Sequence, residues 1–171
     1  VYGFLPFLVP IWWSFWSLTT YIRIGRPRFF PFFGICITVC FALVNELIVK
    51  QICKRVLSST LTARPREAVC KHPGMPSGHT LIAYTLLVWI LLEVLYSKFL
   101  HLEWLLIILV VMAPVPWARV RNKDHTVFQV LVAICCGIAM GILACYIRRE
   151  CFPDHHMLWD WYAAGSGFDM N

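Results

Sequence analysis

Residues 126–147 read TVFQVLVAICCGIAMGILACYI and contain no charged side chain. As an α-helix, this stretch of 22 residues is about 33 Å long, enough to cross the hydrocarbon core of a bilayer, which is about 30 Å thick. Gly137 and Gly141 lie four residues apart, a spacing typical of close packing between membrane helices. The stretch therefore predicts a membrane-spanning helix.

The composition of the 171-residue chain also indicates a protein that lies in a membrane. Apolar residues make up 60% of the chain and charged residues 14%, against roughly 45–50% and 25% in an ordinary soluble domain. A small soluble domain leaves about a third of its surface wet, so it cannot bury so large an apolar fraction. Soluble, disordered, collagen-like and coiled-coil classes are therefore excluded.

Outward from residues 126–147, four more apolar stretches alternate with polar connectors. We predict an all-α integral membrane helical bundle with about five transmembrane helices. The spans are residues 1–22, 29–50, 80–97, 104–118 and 126–147. They form a single membrane-embedded domain, residues 1–150, followed by a polar C-terminal tail, residues 151–171, and whether a segment precedes the first residue stays open. Pro114 and Pro116 predict a kink at the end of the fourth span.

Five spans place residues 50–79 and 119–125 on one side of the membrane, here called the loop side. Nine of the 15 Lys and Arg residues lie there, which by simple counting would make it cytoplasmic. That rule assumes that the charges serve no other purpose. Charge therefore does not determine the orientation.

Five of the eight cysteines lie inside predicted spans, where Cys behaves as a small hydrophobic residue. Cys53 and Cys70 lie on the loop side and can pair if that side faces an oxidising lumen, although two free thiols are the favoured interpretation. No spacing of Cys and His is typical of a zinc site.

Pro76-Ser77-Gly78-His79 opens the third span, and this turn is suited to binding an anion. The first N–H groups of a helix have no partner within it and lie at the positive end of its dipole. Ser77 adds a hydroxyl donor, Gly78 permits a close approach, and Arg64 supplies a guanidinium suited to phosphate. His79 then stands beside any bound anion.

A second polar segment, Arg119 to His125, leads into the fifth span and brings another Arg and another His to the same depth. Gln129 lies four residues after His125, on the same helical face, and can hydrogen-bond its ring. One imidazole that attacks phosphorus and one that protonates the leaving oxygen complete a phosphoryl-transfer site. Only Glu67 and Asp124 lie near, too few carboxylates for a magnesium or two-metal cage. We therefore predict a site without metal or cofactor.

Taken singly, His79, His125, Arg64 and Arg119 are more often interfacial anchors than ligands. Together on one side of the membrane, with the PSGH turn among them, they favour a site. The PSGH turn, and Arg119 followed after five residues by His125, resemble the second and third motifs of the type 2 phosphatidic acid phosphatase superfamily, also called the lipid phosphate phosphatases. Arg64-Pro65 resembles the end of the first motif.

Two positions depart from the family pattern. The first motif has a lysine seven residues before its Arg-Pro, where this chain has Leu57, and Lys54 fills the role if the loop carries an insertion. The third motif has Asp four residues after its histidine, where this chain has Gln129. The dolichyl diphosphatase branch has Gln at that position, and Arg119-Val120 and Gly74-Met75 are also similar to that branch.

The resemblance implies a membrane hydrolase that converts a polyprenyl diphosphate, above all dolichyl diphosphate, to the monophosphate and phosphate, a step that serves protein N-glycosylation. It implies His125 as the nucleophile that forms a phosphohistidine, Gln129 as its orienting partner, and His79 as acid and then base. The implied phosphate ligands are Lys54, Arg64, Ser77, Gly78 and Arg119.

The same resemblance implies a multi-pass protein of the endoplasmic reticulum membrane with a lumenal active site. Its implied partner is the lipid substrate, with no nucleic acid, and its oligomeric state is left open. Two alternatives also stay open. One is a phosphatase of phosphatidate, diacylglycerol pyrophosphate or a sphingoid phosphate. The other is a catalytically inactive relative that serves as a lipid-binding scaffold, which Leu57 and Gln129 suggest.

Overall fold

The computed structural model describes residues 5–24, 29–68, 74–96 and 102–152 of the chain. All regular structure in these ranges is helical, with no β-strand, so the predicted all-α class is confirmed. The helices are α1 (Leu5–Ile24), α2 (Phe29–Val44), α3 (Lys50–Val56), α4 (Ser59–Thr62), α5 (Gly78–Tyr96), α6 (Leu102–Met112), α7 (Val115–Arg121) and α8 (Val127–Cys151). A π-helical turn, Asn45–Val49, joins α2 to α3.

Three helical stretches are long and apolar enough to cross a membrane, and the protein is an integral membrane helical bundle. They are Phe32–Val56, Gly78–Tyr96 and Val127–Cys151, which correspond to the second, third and fifth predicted spans. The first predicted span is α1, whose 20 residues include Pro10 and several Trp, Ser and Thr side chains that lower its hydropathy.

The fourth predicted span is divided into two short helices. α6 has only 11 residues, and after it Pro114 caps α7 while Pro116 lies in the first turn of α7. Proline lacks the N–H that a continuous helix needs, so the predicted kink is a complete break. Cys53 is a free thiol, whereas Cys70 and the predicted tail from residue 153 lie outside the described residues.

α5 and α8 form the centre of the bundle and run parallel. A Cβ on Gly137 would lie 2.7 Å from the carbonyl oxygen of Leu81, and one on Gly141 would lie 2.8 Å from the carbonyl oxygen of Thr85. The contacts advance in the same direction along both helices, which makes them parallel. Because neither glycine has a side chain, the two backbones touch, and the close packing predicted from their spacing is confirmed.

Glu93 and Arg148 form a buried ion pair near the C-terminal ends of these two helices. Arg148 donates from Nε and Nη2 to the two oxygens of the Glu93 carboxylate, at 2.8 and 2.7 Å. Nε1 of Trp89 donates to the same carboxylate at 3.2 Å. A bidentate pair with an additional donor offsets the desolvation of both charges. Neither charged residue had a predicted role.

α1 packs against α2 and α5 through one face. The ring of Trp13 fills the space that Gly34 leaves in α2, where a Cβ would overlap the ring, and it meets the ring of Trp89 edge-on with centroids 6.0 Å apart. The N-terminal ends of α5 and α8, the loop before α5 and the end of α7 then surround the candidate site.

Candidate active site

Gln129 is the centre of the hydrogen-bond network at the site. It lies in the first turn of α8 and is fully buried. Its Nε2 donates to the carbonyl oxygens of Leu61 and Ala63, at 3.0 and 2.7 Å. An amide nitrogen only donates and an amide oxygen only accepts, so these two bonds fix the orientation of the amide. Oε1 of Gln129 therefore acts as an acceptor on the other side.

Thr126 and Gln129 begin α8 by capping each other. The hydroxyl of Thr126 accepts from the backbone N–H of Gln129, and Oε1 of Gln129 accepts from the backbone N–H of Thr126, both at 3.3 Å. This reciprocal arrangement satisfies two N–H groups that the helix itself leaves unpaired. It also fixes the position of His125, which immediately precedes Thr126.

His125 is held in one tautomer. Its Nδ1 lies 3.2 Å from Oε1 of Gln129, which can only accept, so Nδ1 carries the proton and Nε2 keeps its lone pair. Nε2 lies 3.3 Å from Nη1 of Arg64, which donates to it. The nitrogen that a nucleophile needs unprotonated therefore faces a guanidinium group suited to phosphate.

His125 is also held neutral. Burial, followed by the charges of Arg64 and Arg119, lowers its pKa to about 3, because a charged imidazole loses hydration and is repelled by both guanidinium groups. Hydrogen bonds to Gln129 and Gly74 act in the opposite direction and are the smaller effect. At neutral pH the ring is therefore in the form that can attack phosphorus.

Arg119 lies beside His125 at the end of α7. Its Nη1 is 3.0 Å from Oδ2 of Asp124, and its carbonyl oxygen accepts from the backbone N–H groups of Asp124 and His125, which closes the turn. Nε of Arg119 is buried and has no hydrogen-bond partner among the described residues. Burial lowers the pKa of Arg119, so a bound anion would supply both an acceptor and a favourable charge.

Three carboxylates near the site are paired with cations. Glu46, whose Oε1 would lie 3.6 Å from a Cβ on Gly78, binds Lys50. Asp124 binds Arg119, and Glu67 lies 3.5 Å from Nζ of Lys123 across the surface of the loops. Within residues 5–24, 29–68, 74–96 and 102–152, no group of three or more His, Cys, Asp or Glu side chains is arranged to hold a metal ion.

The loop before α5 packs directly against these groups. A Cβ on Gly74 would lie 2.6 Å from Cγ of Arg64 and 2.8 Å from Oε1 of Gln129, so only glycine fits there. Ser77 is fully buried, and its hydroxyl oxygen accepts from Oγ1 of Thr80 at 3.1 Å. Because Ser77 immediately precedes α5, its hydroxyl lies with the first N–H groups of the helix at the positive end of the helix dipole.

His79 is the second residue of α5 and is half-buried. The charges of Arg119 and Arg64 act on this ring, as they do on the ring of His125, and the negative charge of Asp124 acts on it in the opposite direction. The two histidines therefore share the same two cations. A nucleophile and an acid that act on one phosphate need this arrangement. The structure thus brings together both predicted histidines, both predicted arginines, Gln129 and the PSGH turn.

The two lysines of α3 differ in their relation to the site. Lys54, predicted to bind phosphate, is exposed. The charge of Lys50, one turn earlier, acts on His79, and Lys50 is paired with Glu46. The sequence predicted no role for Lys50 beyond its charge on the loop side. Lys50 lies four residues before Lys54, so both lysines are on one helical face. The role of Lys54 stays a prediction.

A neutral imidazole that faces two arginines beside a helix N-terminus, inside a membrane bundle, defines a site for phosphoryl transfer from a lipid-embedded phosphate ester. Comparison with known families agrees: the chain belongs to the PAP2 superfamily, whose family model matches residues 15–153. No curated protein and no solved structure matches the chain. Membership makes the protein a phosphatase, a hydrolase of phosphate esters that in this family are typically lipid phosphates.

Proposed function

We propose that the protein hydrolyses a polyprenyl diphosphate, in particular dolichyl diphosphate to dolichyl phosphate and phosphate, without a metal ion. The observation that carries the proposal is the amide of Gln129, whose contact with Nδ1 of His125 leaves Nε2 unprotonated in front of Arg64. Glutamine at this position resembles the dolichyl diphosphatase branch. Here it also donates to Leu61 and Ala63, which an ionised carboxylate has no N–H to do.

In the first step, Nε2 of His125 attacks the terminal phosphorus. The Nε2–P bond forms, the bond from phosphorus to the bridging oxygen breaks, and the electron pair leaves on dolichyl phosphate. The negative charge of the bound diphosphate favours the protonated form of His79. The ring then gives its proton to that bridging oxygen, which lowers the cost of charge on the leaving group. Gln129 stays hydrogen-bonded to Nδ1 and stabilises the ring as it becomes charged.

In the second step, a water molecule replaces His125 on phosphorus. His79, now neutral, takes a proton from the water, and the water oxygen attacks phosphorus. The Nε2–P bond breaks, its electron pair returns to Nε2, and phosphate leaves. One water is consumed, and one diphosphate becomes a lipid monophosphate and phosphate.

We assign binding of the transferred phosphoryl group to Arg64, Arg119, Ser77 and Gly78. The buried Nε of Arg119, which lacks a partner in the described ranges, supports this assignment. Negative charge spreads over the equatorial oxygens in the transition state, and donors fixed in advance stabilise it without reorganisation.

We assign the remaining phosphate contact to a lysine of α3, with Lys54 as the residue implied by the motif and Lys50 as the one whose charge acts on His79. Lys50→Ala and Lys54→Ala distinguish them, with exposed Arg55→Ala as the matched control. We expect the variant that removes the ligand to raise KM by about tenfold, as for a charge-assisted hydrogen bond. No change in either lysine variant would remove lysine from the site.

Purified protein with EDTA should release phosphate from dolichyl diphosphate. We expect His125→Ala to lower kcat by about 10³-fold or more and to prevent trapping of a phosphoenzyme. Undiminished turnover by this variant would contradict the mechanism, and loss of activity in EDTA would contradict its independence of metal. Faster turnover of phosphatidate, diacylglycerol pyrophosphate or a sphingoid phosphate under the same conditions would assign a different lipid.

We further propose the endoplasmic reticulum membrane as the location, with a lumenal site, which the resemblance to the dolichyl branch supports. Ser58→Asn creates a glycosylation acceptor with Thr60 in the exposed turn before α4. Modification of this variant in cells, lost when Thr60→Ala is added, is the expected result. Labelling of the same turn by a reagent confined to the cytosol would place the site on the opposite side.

A further inference from the structure

Phe7, in the first turns of α1, contacts an active-site histidine from outside the part of the chain that the family model covers. Its ring meets the ring of His79 edge-on, with centroids 4.8 Å apart and an interplanar angle of 84°. The family match begins at residue 15, eight residues after Phe7. Phe7 remains 37% exposed, which leaves part of its ring open to a further apolar group.

The chemistry of the proposed reaction determines where the lipid chain must leave the site. Displacement at phosphorus is in line, so the leaving oxygen lies opposite the attacking Nε2 of His125. That oxygen carries the lipid, and His79 protonates it in the proposed mechanism. The lipid chain therefore leaves the site on the His79 side, where Phe7 lies.

A continuous apolar stripe begins at Phe7 and follows the outer face of α1. The residues four, eight, 11 and 15 positions further on are Ile11, Phe15, Leu18 and Ile22, exposed by 62, 66, 57 and 73%. Spacings of three and four residues place all five on one helical face. At 1.5 Å per residue the stripe is about 22 Å long, roughly three quarters of the depth of a bilayer core of about 30 Å.

The opposite face of α1 is occupied by protein. Trp13 is 2% exposed and packs on Gly34 and Trp89, so α1 cannot rotate to bury the stripe. Membrane lipid is apolar and covers exposed faces of every helix in the bundle. The stripe on α1 differs because it starts in contact with His79 and so continues the site.

We propose that this stripe binds the hydrocarbon tail of the lipid diphosphate, and that Phe7 is a specificity-determining residue that packs on the isoprenoid units nearest the head group. The proposal rests on the proposed function, because it uses the position of the leaving group. It implies selection for a long isoprenoid diphosphate over a short one with the same head group, since only a long tail follows α1 across the membrane.

The kinetic test compares a long polyprenyl diphosphate with methyl diphosphate, which has the same head group and no isoprene unit. Phe7→Ala should lower kcat/KM for the long substrate by about tenfold, as expected from the loss of one aromatic contact surface, and by less than about twofold for the short one. Phe32→Ala is the matched control, because Phe32 is 56% exposed on α2 and its neighbour Phe33 contacts Phe152 at the end of α8, far from His79.

Equal losses on both substrates would overturn the proposal, since they would show that Phe7 acts only through the orientation of His79. An equal effect of Phe32→Ala would overturn it as well. Failure of the wild-type protein to hydrolyse any lipid phosphate would instead contradict the proposed function.

A binding measurement tests the stripe without turnover. In the His125→Ala protein, a polyprenyl diphosphate with a photoreactive group in its first isoprene units should label the tryptic peptide that ends at Arg23 and contains the stripe. Unlabelled polyprenyl diphosphate should compete, and Phe7→Ala should reduce the yield. Labelling mainly on α8, or labelling that Phe7→Ala leaves unchanged, would overturn the proposal.

Discussion

His125 illustrates how a tautomer is set without a carboxylate. Gln129 accepts the proton of Nδ1 while its amide nitrogen donates to Leu61 and Ala63. A neutral hydrogen bond contributes about 0.5–1.5 kcal/mol, whereas one to a charged group contributes about 1.5–3 kcal/mol. The glutamine therefore stabilises the charged ring less than Asp would. Its hydrogen bonds to Leu61 and Ala63 also hold the segment that leads to Arg64.

We predict that Gln129→Glu lowers activity, although a carboxylate is the stronger partner for an imidazole. An ionised carboxylate repels the carbonyl oxygens of Leu61 and Ala63, and each buried carbonyl left without a donor costs about 1–3 kcal/mol. We expect kcat/KM for the diphosphate to fall by about tenfold or more. Activity at or above the wild-type level would show that the two donated bonds are dispensable.

The low pKa of His125 predicts a loss of stability in acid. The folded protein keeps this ring neutral down to about pH 3, whereas the unfolded chain protonates it near pH 6.5. Between these values the unfolded state binds more protons, so stability is complete above pH 6.5 and falls as the pH falls, by at most about 1.4 kcal/mol per pH unit.

Thermal unfolding in detergent measures this effect. From pH 6.5 to pH 4, we expect the wild-type protein to lose stability relative to His125→Asn, which lacks the titrating group. A difference between the two proteins that stays constant over this range would mean that His125 is not buried in its neutral form.

At the scale of elements, the parallel helices α5 and α8 place the two histidines. Each helix carries its histidine at or just before its N-terminus, and the glycines of α8 bring the backbones into contact. Gly137 faces the carbonyl oxygen of Leu81 at 2.7 Å and Cβ of Tyr84 at 2.8 Å, measured from the Cβ that it lacks. The two helices can therefore pack this closely because glycine has no β-carbon at this position.

We predict that Gly137→Ala separates α5 from α8. The nearest atoms belong to a helix backbone, which cannot move aside as a flexible side chain can, and overpacking of this kind costs about 1–3 kcal/mol. Unfolding by SDS or heat should show lower stability together with lower kcat. Cys135→Ala, at an exposed position of α8, is the control, and a similar loss there would contradict the packing argument.

At the scale of the whole molecule, buried charge occurs at both ends of the central helix pair. The residues of the candidate site lie at the N-terminal ends, and Glu93 with Arg148 lies near the C-terminal ends. An ionisable residue inside a membrane bundle is expensive unless it is paired. The bidentate ion pair joins α5 to α8 near the ends opposite the histidines.

We predict that Glu93→Gln destabilises the protein by about 3–5 kcal/mol, because it leaves the charge of Arg148 buried without a partner. The double variant Glu93→Met with Arg148→Met should recover much of that loss, since it removes both charges and keeps the volume apolar. Denaturation of the wild type, Glu93→Met, Arg148→Met and the double variant in detergent measures the coupling. If the two single losses simply add in the double variant, the pair does not interact.

Much of the site was predictable because its residues lie in two short segments. His125 and Gln129 are neighbours on one helical turn, and Ser77, Gly78 and His79 form a single turn, so local geometry links them. The proposed lysine ligand stays a prediction, since Lys50 and Lys54 share one helical face and no local pattern distinguishes between them.

The sequence by itself determined the membrane environment and the helical class, and it predicted the two histidines and two arginines of the candidate site. Hydropathy and motif spacing are local properties of a chain. Only the tertiary structure decided which side the amide of Gln129 faces, which acid accompanies Arg148, and which aromatic ring touches His79. Leu61, Glu93 and Phe7 are 68, 55 and 72 residues away in sequence from the residues they contact. Contacts at such separations are set by helix packing, which no local pattern specifies.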